Sequence, residues 1–182
     1  MREITIIYGK TGTGKSHLAK ELIYNYNRVV IIDPKAEYMD GLVFNNFIDL
    51  VDYYKDNEPD EFIFICRFES DLEHEYIFKF CQIIEDVLLV VEEAEIYISP
   101  YAKSSAFLDL CRYGRHHNVS ILGIARRVSE LSINFRALVT RLISFKQTEP
   151  VDIKISETLG FHGLDQLQQF PDGHTEYQEI FP

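Results

Sequence analysis

The sequence predicts an α/β fold with a mostly parallel central sheet and helices on both faces, and three observations lead there. Strand-type apolar runs alternate with amphipathic helical stretches along all 182 residues. The first run, Ile4-Thr5-Ile6-Ile7-Tyr8, passes into a glycine-rich loop, Gly9 to Ser16 (GKTGTGKS), and straight on into a helical pattern. A second buried run, Val87 to Val91, ends in the carboxylate pair Glu92-Glu93. In such sheets ligands gather at the carboxyl ends of the strands, where both features lie.

The elements follow in order. A strand at Glu3 to Tyr8 leads to a helix at Lys15 to Tyr26, and a second strand, Arg28 to Ile32, is stopped by Asp33-Pro34. A short strand near Leu42 to Phe44 and a helix from about Phe47 to Lys55 precede the polar loop Asp56 to Asp60. Strand Glu61 to Arg67 alternates in character and is followed by helix Asp71 to Asp86, then by strand Val87 to Val91 and a loop through Pro100. Helix Ser105 to His116, strand Val119 to Ala125 and a short helix near Asn134 to Leu138 come next. Strand Arg141 to Phe145, helix Val151 to Leu159 and a last strand near Thr175 to Ile180 complete the pattern. No repeat or linker interrupts it, so residues 1–182 read as a single domain.

The glycine loop carries the sharpest chemistry. G-x-x-x-x-G-K-[ST] between a strand and a helix is a phosphate cradle, because its glycines let successive backbone N–H groups face one concavity. The following helix adds its N-terminal donors and dipole. Lys15 supplies a point charge for the β- and γ-phosphates, and the Ser16 hydroxyl is suited to ligate Mg²⁺. The cradle so read comprises Gly9, Lys10, Thr11, Gly12, Thr13, Gly14, Lys15, Ser16 and His17, with ATP and Mg²⁺ as the expected ligands. At the second strand end, Glu92 is the metal-side acid, acting through water, and Glu93 the group that orients and deprotonates the attacking water. A solvated strand end is the plain alternative for both.

Composition narrows the class. No apolar stretch approaches the length of a membrane span, no leader pattern precedes the first strand, and three cysteines without pair spacing suit a reducing compartment. The cytoplasm, of a host cell if the source is viral, is the expected location. Net charge is −11, yet Lys103 to Lys146 carries eight Lys/Arg against two acids, a net +6 that leaves −17 for the remainder. One basic block on an acidic body fits a polyanionic partner, or equally a set of interface and phosphate-facing arginines. His116 and His117 have no third partner at ligand spacing and read as structural.

Several segments go further. A strand, Glu61 to Arg67, intervenes between the glycine loop and the acidic strand, and the added glutamate is a feature of ring-forming P-loop ATPases. Ile31-Ile32-Asp33-Pro34-Lys35-Ala36-Glu37-Tyr38, Arg115 to Leu131 (RHHNVSILGIARRVSEL) and Ile143 to Pro150 resemble the FtsK–HerA group of DNA-pumping ATPases, and in particular the genome-packaging ATPases of double-stranded DNA viruses. The resemblance implies a P-loop NTPase of the RecA-like, catalytic-glutamate (ASCE) branch, folded as a three-layer sandwich. It implies a pentameric or hexameric ring of identical subunits acting on double-stranded DNA, docked to a capsid or portal protein.

It also implies roles for residues. Arg115, at the end of the helix after Glu93, matches the position of an arginine supplied to a neighbouring subunit's site, with Arg112 second; either instead caps its helix. Arg126 stands where the group carries a polar sensor, and either touches the γ-phosphate of its own subunit or points across a subunit boundary. Tyr101 and Lys103 lie where such rings face their pore and are candidates for DNA contact, or else belong to a plain surface loop. Glu92 departs from the usual Asp. The rival readings are a Zot-like phage assembly ATPase, a small-molecule P-loop kinase, and a nucleotide-gated structural subunit without turnover.

Overall fold

All eight expected strands form, and all but the last run in one direction. The computed structural model describes residues 2–101, 104–170 and 175–182. The strands are β1 (Ile4–Tyr8), β2 (Arg28–Ile32), β3 (Leu42–Phe44), β4 (Phe62–Cys66), β5 (Leu88–Val91), β6 (Ser120–Ala125), β7 (Arg141–Phe145) and β8 (Tyr177–Ile180). Among the described residues they make one sheet in the order β3-β4-β2-β5-β6-β1-β7-β8, parallel except where β8 closes on β7. The helices are α1 (Lys15–Ile23), α2 (Phe47–Asn57), α3 (Asp71–Ile84), α4 (Glu95–Ile98), α5 (Ser105–Tyr113), α6 (Ile133–Arg136) and α7 (Pro150–Thr158).

The period-two alternation of each strand feeds two cores. Ile4, Ile6 and Tyr8 of β1 join Val30, Leu89 and Ile121 beneath α2, α3 and α5, where Phe78 and Phe107 pack with ring centroids 4.8 Å apart. Ile7, with Ile31, Val90 and Ile124, faces the opposite way and is covered by Ala19 and Ile23 of α1 and by Tyr38. Strands buried on both faces are what near-continuous Val/Ile/Leu runs signal. The three-layer sandwich is therefore as expected.

Three local expectations change. The strand lying between β1 and the acidic β5 is β6, which pairs with both; β4 sits beyond β2. Order along the chain is not order in the sheet, because each parallel crossover can place its strand on either side. The segment after Glu93 is not wholly loop. It forms the short α4, begun where the Ala94 amide donates to Ile124 O at 2.9 Å and ended before Pro100. The helices also stop earlier than their patterns suggest. α3 ends at Ile84 because Glu85 and Asp86 take positive φ, and α5 gives way at Tyr113 to a 3₁₀ turn, Gly114–His117.

Gly123 marks the tightest point of the sheet. It pairs with Val91 of β5 on one side and Ile6 of β1 on the other, and a Cβ there would lie 2.5 Å from Ile6 Cδ1 and 3.3 Å from Ala94 Cβ. Overpacking of this kind costs about 1–3 kcal/mol. Gly123→Ala should lower the urea midpoint accordingly, and an unchanged midpoint would show that the strands can part without cost.

Candidate nucleotide site

Four parallel strands end at one edge, and each delivers a different chemical group there. β1 ends at Tyr8, whose hydroxyl meets Ser156 Oγ at 3.1 Å and whose ring packs edge-on against Phe161. The chain then turns through Gly9, where a Cβ would fall 2.6 Å from Phe145 Cβ of the neighbouring β7. Thr13 Oγ1 donates to Lys10 O at 2.8 Å and closes the loop on itself. Gly14 caps α1 at φ +96°, a left-handed conformation that costs glycine nothing and turns the first amides of the helix toward the loop's hollow. The Lys15 side chain is buried, with Nζ 3.2 Å from Lys10 O; burial lowers its pKa, and Glu92 and Glu95 oppose that shift. The loop thus folds around its lysine.

β2 contributes a loop built on one carboxylate. Asp33 is fully buried and accepts from the amides of Glu37 (2.8 Å) and Tyr38 (3.2 Å) and from Arg67 Nε (3.2 Å). These bonds curl Asp33-Pro34-Lys35-Ala36-Glu37-Tyr38 back over the strand ends. The Tyr38 hydroxyl consequently reaches Glu92 Oε1 at 2.7 Å, Lys35 forms an ion pair with Glu93, and Glu37 joins the cleft wall.

β5 delivers the acids. Glu92 is buried, and burial above all lifts its pKa to about 7, although Tyr38 and Ser16 both donate to it. A carboxylate so poorly solvated gains most from a cation. The donors converging here are all oxygens: the Ser16 hydroxyl and the carboxylates of Glu92, Glu93 and Glu37. An oxygen set of this kind fits Mg²⁺, a hard cation, better than it fits a softer metal. Glu93 sits at φ +51°, a conformation in which a non-glycine side chain is strained by about 1–3 kcal/mol, and which sends it away from Glu92 toward Lys35. β6 ends in Arg126, whose Nε lies 2.9 Å from Glu95 Oε1. Glu95 is buried, and its second oxygen has no partner.

A cleft of about 420 Å³ results, lined by Thr11, Gly12, Gly14, Lys15, Ser16, His17, Lys35, Glu37, Glu92, Glu93, Ile124, Ala125 and Arg126. Of the residues the sequence nominated, nine of the cradle or strand-end groups meet here; Gly9, Lys10 and Thr13 shape the loop behind it. Arg126 lines the cleft of its own chain. Arg127 instead pairs with the buried Asp152 at 2.8 Å and holds the turn after β6.

Other nominated residues lie elsewhere. Arg115 occupies the 3₁₀ turn that precedes β6, whereas Arg126 follows it. Six strand residues at about 3.3 Å each separate the two ends. Arg115 is exposed on the opposite edge of the sheet, and among the described residues nothing pairs with its guanidinium. The carbonyls of Leu110 and Cys111 at the end of α5 are taken by Arg2, each at 2.9 Å, so capping that helix is not left to Arg115. Arg112 is exposed in the last turn of α5. Tyr101 is 98% exposed, and Lys103 lies outside the described residues. His117 Nδ1 is 2.9 Å from Glu85 Oε1, and no group of three metal-binding side chains occurs among the described residues.

In the sequence Lys35, Glu37 and Tyr38 stand out only by the family likeness of their segment, and Glu95 does not stand out. The signal was present: carboxylates alternate in Glu93-Ala94-Glu95, and Lys35, Glu37 and Tyr38 sit just past a strand end.

A glycine-loop cradle, a carboxylate pair on a strand one removed in the sheet, and a basic residue ending the strand between them define a P-loop NTPase. A family model described as the central domain of the helicase HerA matches residues 5–138, and the chain belongs to that family. Among solved structures, the genome packaging NTPase B204 from Sulfolobus turreted icosahedral virus 2 in complex with sulfate is 18% identical. That match covers 91% of this chain and 84% of that one at a TM-score of 0.74. VirB4 of Thermoanaerobacter pseudethanolicus, 18% identical, covers 86% and 80% at 0.60. The N-terminal domain of zonular occludens toxin from Neisseria meningitidis, 16% identical, covers 81% and 78% at 0.55. Comparison with curated protein sequences gave no match. No helix among the described residues is long and apolar enough to cross a membrane.

Asp33→Ala should break the loop that brings Tyr38 and Lys35 to the acids. Leaving two amides and Arg67 Nε without their acceptor costs about 1–3 kcal/mol, and ATP affinity should fall with it, while Asp40→Ala on the exposed part of the same loop changes neither. Urea melts and nucleotide titration measure both, and an Asp33→Ala protein with native stability and affinity would deny the loop its anchor.

Proposed function

We propose that the chain is an ATP-hydrolysing double-stranded DNA translocase, a viral or prophage genome-packaging motor that acts as a homo-oligomeric ring. The observation that carries this reading is the division of the catalytic groups. The cleft holds cradle, acids and Arg126 at one edge of the sheet, and an exposed arginine, Arg115, stands at the other, away from its own cleft, which supports a role toward a neighbouring subunit. The HerA family match and the likeness to a genome packaging NTPase support the choice of DNA as substrate. The likeness to a zonular occludens toxin domain keeps a phage assembly ATPase as the second reading.

In hydrolysis, the loop amides and Lys15 hold the β- and γ-phosphates. Glu93 accepts a proton from a water whose oxygen attacks the γ-phosphorus, while the bond to the bridging oxygen of ADP breaks and inorganic phosphate leaves with the new oxygen. Arg126 from the same chain and Arg115 from the next meet the charge that develops on the transferred group. A Mg²⁺ held by Ser16 and, through water, by Glu92 supplies further neutralisation of the phosphate oxygens when bound. Tyr101 and Lys103 face the DNA backbone within the ring, and a capsid or portal protein supplies docking. Lys35 and Glu37, both near the γ-phosphate position, complete the wall.

Lys15→Ala and Glu93→Gln should separate binding from chemistry. The first loses nucleotide affinity. The second retains it and slows turnover by about 10²–10⁴, the range for a lost general base. Isothermal titration and phosphate release distinguish them; near-normal turnover in Glu93→Gln would remove its role.

The ring and its substrate are tested together. Specific ATPase activity should rise with protein concentration and again on adding double-stranded DNA, steeply weakened by salt because phosphates carry the contact. Arg115→Ala alone should bind ATP and hydrolyse slowly, by up to about 10³-fold. Mixed with Lys15→Ala it should regain part of the activity, since some junctions then pair an intact Lys15 with an intact Arg115. A rate indifferent to concentration and DNA, with no recovery on mixing, rules out the ring motor.

A further inference from the structure

Lys35 is a cleft cation to which the sequence gave no role, and its partner is the proposed base. It stands on the loop after β2, its side chain about half exposed, while the Glu93 side chain is 19% exposed, and the two form an ion pair across the cleft. The pairing raises the pKa of Lys35, so the cation is firmly charged. Glu93 makes this pair from a left-handed backbone conformation, which a non-glycine residue adopts at a cost. On the facing wall, Arg126 is tied to Glu95 in the same manner. Two of the cleft's cations, Lys35 and Arg126, are therefore each held by a carboxylate.

An ion pair fixes where a carboxylate points, and here it points Glu93 at Lys35. A γ-phosphate brings more negative charge than one carboxylate and enters the same cleft, within the span of a flexible lysine side chain. We propose that Lys35 is a positioning residue that changes partners. It holds Glu93 in the nucleotide-free protein, moves to the γ-phosphate when ATP binds, and so frees Glu93 for the attacking water only when there is a phosphate to attack. ADP lacks the group that competes for Lys35, and the Lys35–Glu93 pair persists with ADP bound. The inference rests on the nucleotide reading above and adds a discrimination between ATP and ADP to it.

A double-mutant cycle isolates the exchange. Binding of the non-hydrolysable analogue AMPPCP and of ADP is measured by calorimetry with Mg²⁺ for the parent, Lys35→Ala, Glu93→Gln and the double variant. Removing the Glu93 charge relieves repulsion of the γ-phosphate whether or not Lys35 is present. With Lys35 present it also spares the cost of breaking the pair. Glu93→Gln should therefore tighten AMPPCP about two- to five-fold more in the Lys35 background than in the Lys35→Ala background, the range for one solvent-accessible ion pair. For ADP the two backgrounds should agree. Lys35→Arg keeps the charge and should preserve the AMPPCP coupling. Equal coupling for both nucleotides would mean a shared structural effect, and no coupling for AMPPCP would mean that the pair survives ATP binding; either overturns the exchange. Failure of all four proteins to bind either nucleotide would overturn the nucleotide reading itself, and this inference with it.

Discussion

Everything at the cleft depends on parallel pairing of β2, β5, β6 and β1 in register. Ile32 lies beside Val91, Val91 beside Gly123, and Ile6 and Ile7 beside Gly123 and Ile124. Because parallel strands all exit at one edge, the residues that follow them must share that edge: the glycine loop after β1, Asp33 after β2, Glu92 after β5 and Arg126 after β6. Burial on both faces fixes the register, since a slip of one residue would exchange the Ile6 and Ile7 sides and expose one core or the other. Chemistry at this site is thus a by-product of how the apolar residues pack, and Gly123 is where that packing leaves no room for a side chain.

The charges brought together nearly cancel. Lys15, Lys35 and Arg126 line the cleft with Glu37, Glu92 and Glu93, and Glu95 lies directly behind. Cancellation lets a crowded set of ions exist in a partly desolvated space, where an uncompensated one would cost several kcal/mol. It also means that side chains alone give the site no strong pull on a triphosphate. Attraction falls to groups whose charge is not already spoken for: the amides of the loop, the N-terminus of α1, and a cation beside Glu92. The raised pKa of Glu92 is the mark of that last deficit, for its two hydrogen-bond donors do not offset its burial. A glutamate in place of the usual aspartate reaches Tyr38 of the β2 loop, which ties the metal-side acid to the same loop that carries Lys35.

Much of this was legible in the residues. Alternation and buried runs gave all eight strands, and the glycine spacing located the cradle, because those signals arise from local geometry. Sheet order was not legible: the strand between cradle and acids is β6, not Glu61 to Arg67, since crossover choices leave no local trace. Nor were the roles of Lys35, Tyr38 and Glu95. Each matters through a partner far away in sequence, Glu93, Glu92 and Arg126 respectively, and only the fold reveals which lysine or tyrosine among many is so placed. Arg2 is the same kind of case, a terminal residue that occupies the carbonyls ending α5 and thereby changes what Arg115 is left to do.

On the proposed reading, the two arginines divide labour by where β6 puts them. Arg126 ends the strand inside the cleft and is held by a buried carboxylate, so its position is set by its own subunit. Arg115 stands in the turn before the strand, exposed at the far edge, and among the described residues nothing pairs with its guanidinium. A rigid strand, buried along its length, joins the two. Through its pairing with β5, the same strand also lies beside the one that carries the acids. On the ring reading, the strand that separates cradle from acids in one subunit is also the one preceded by the arginine proposed for the next.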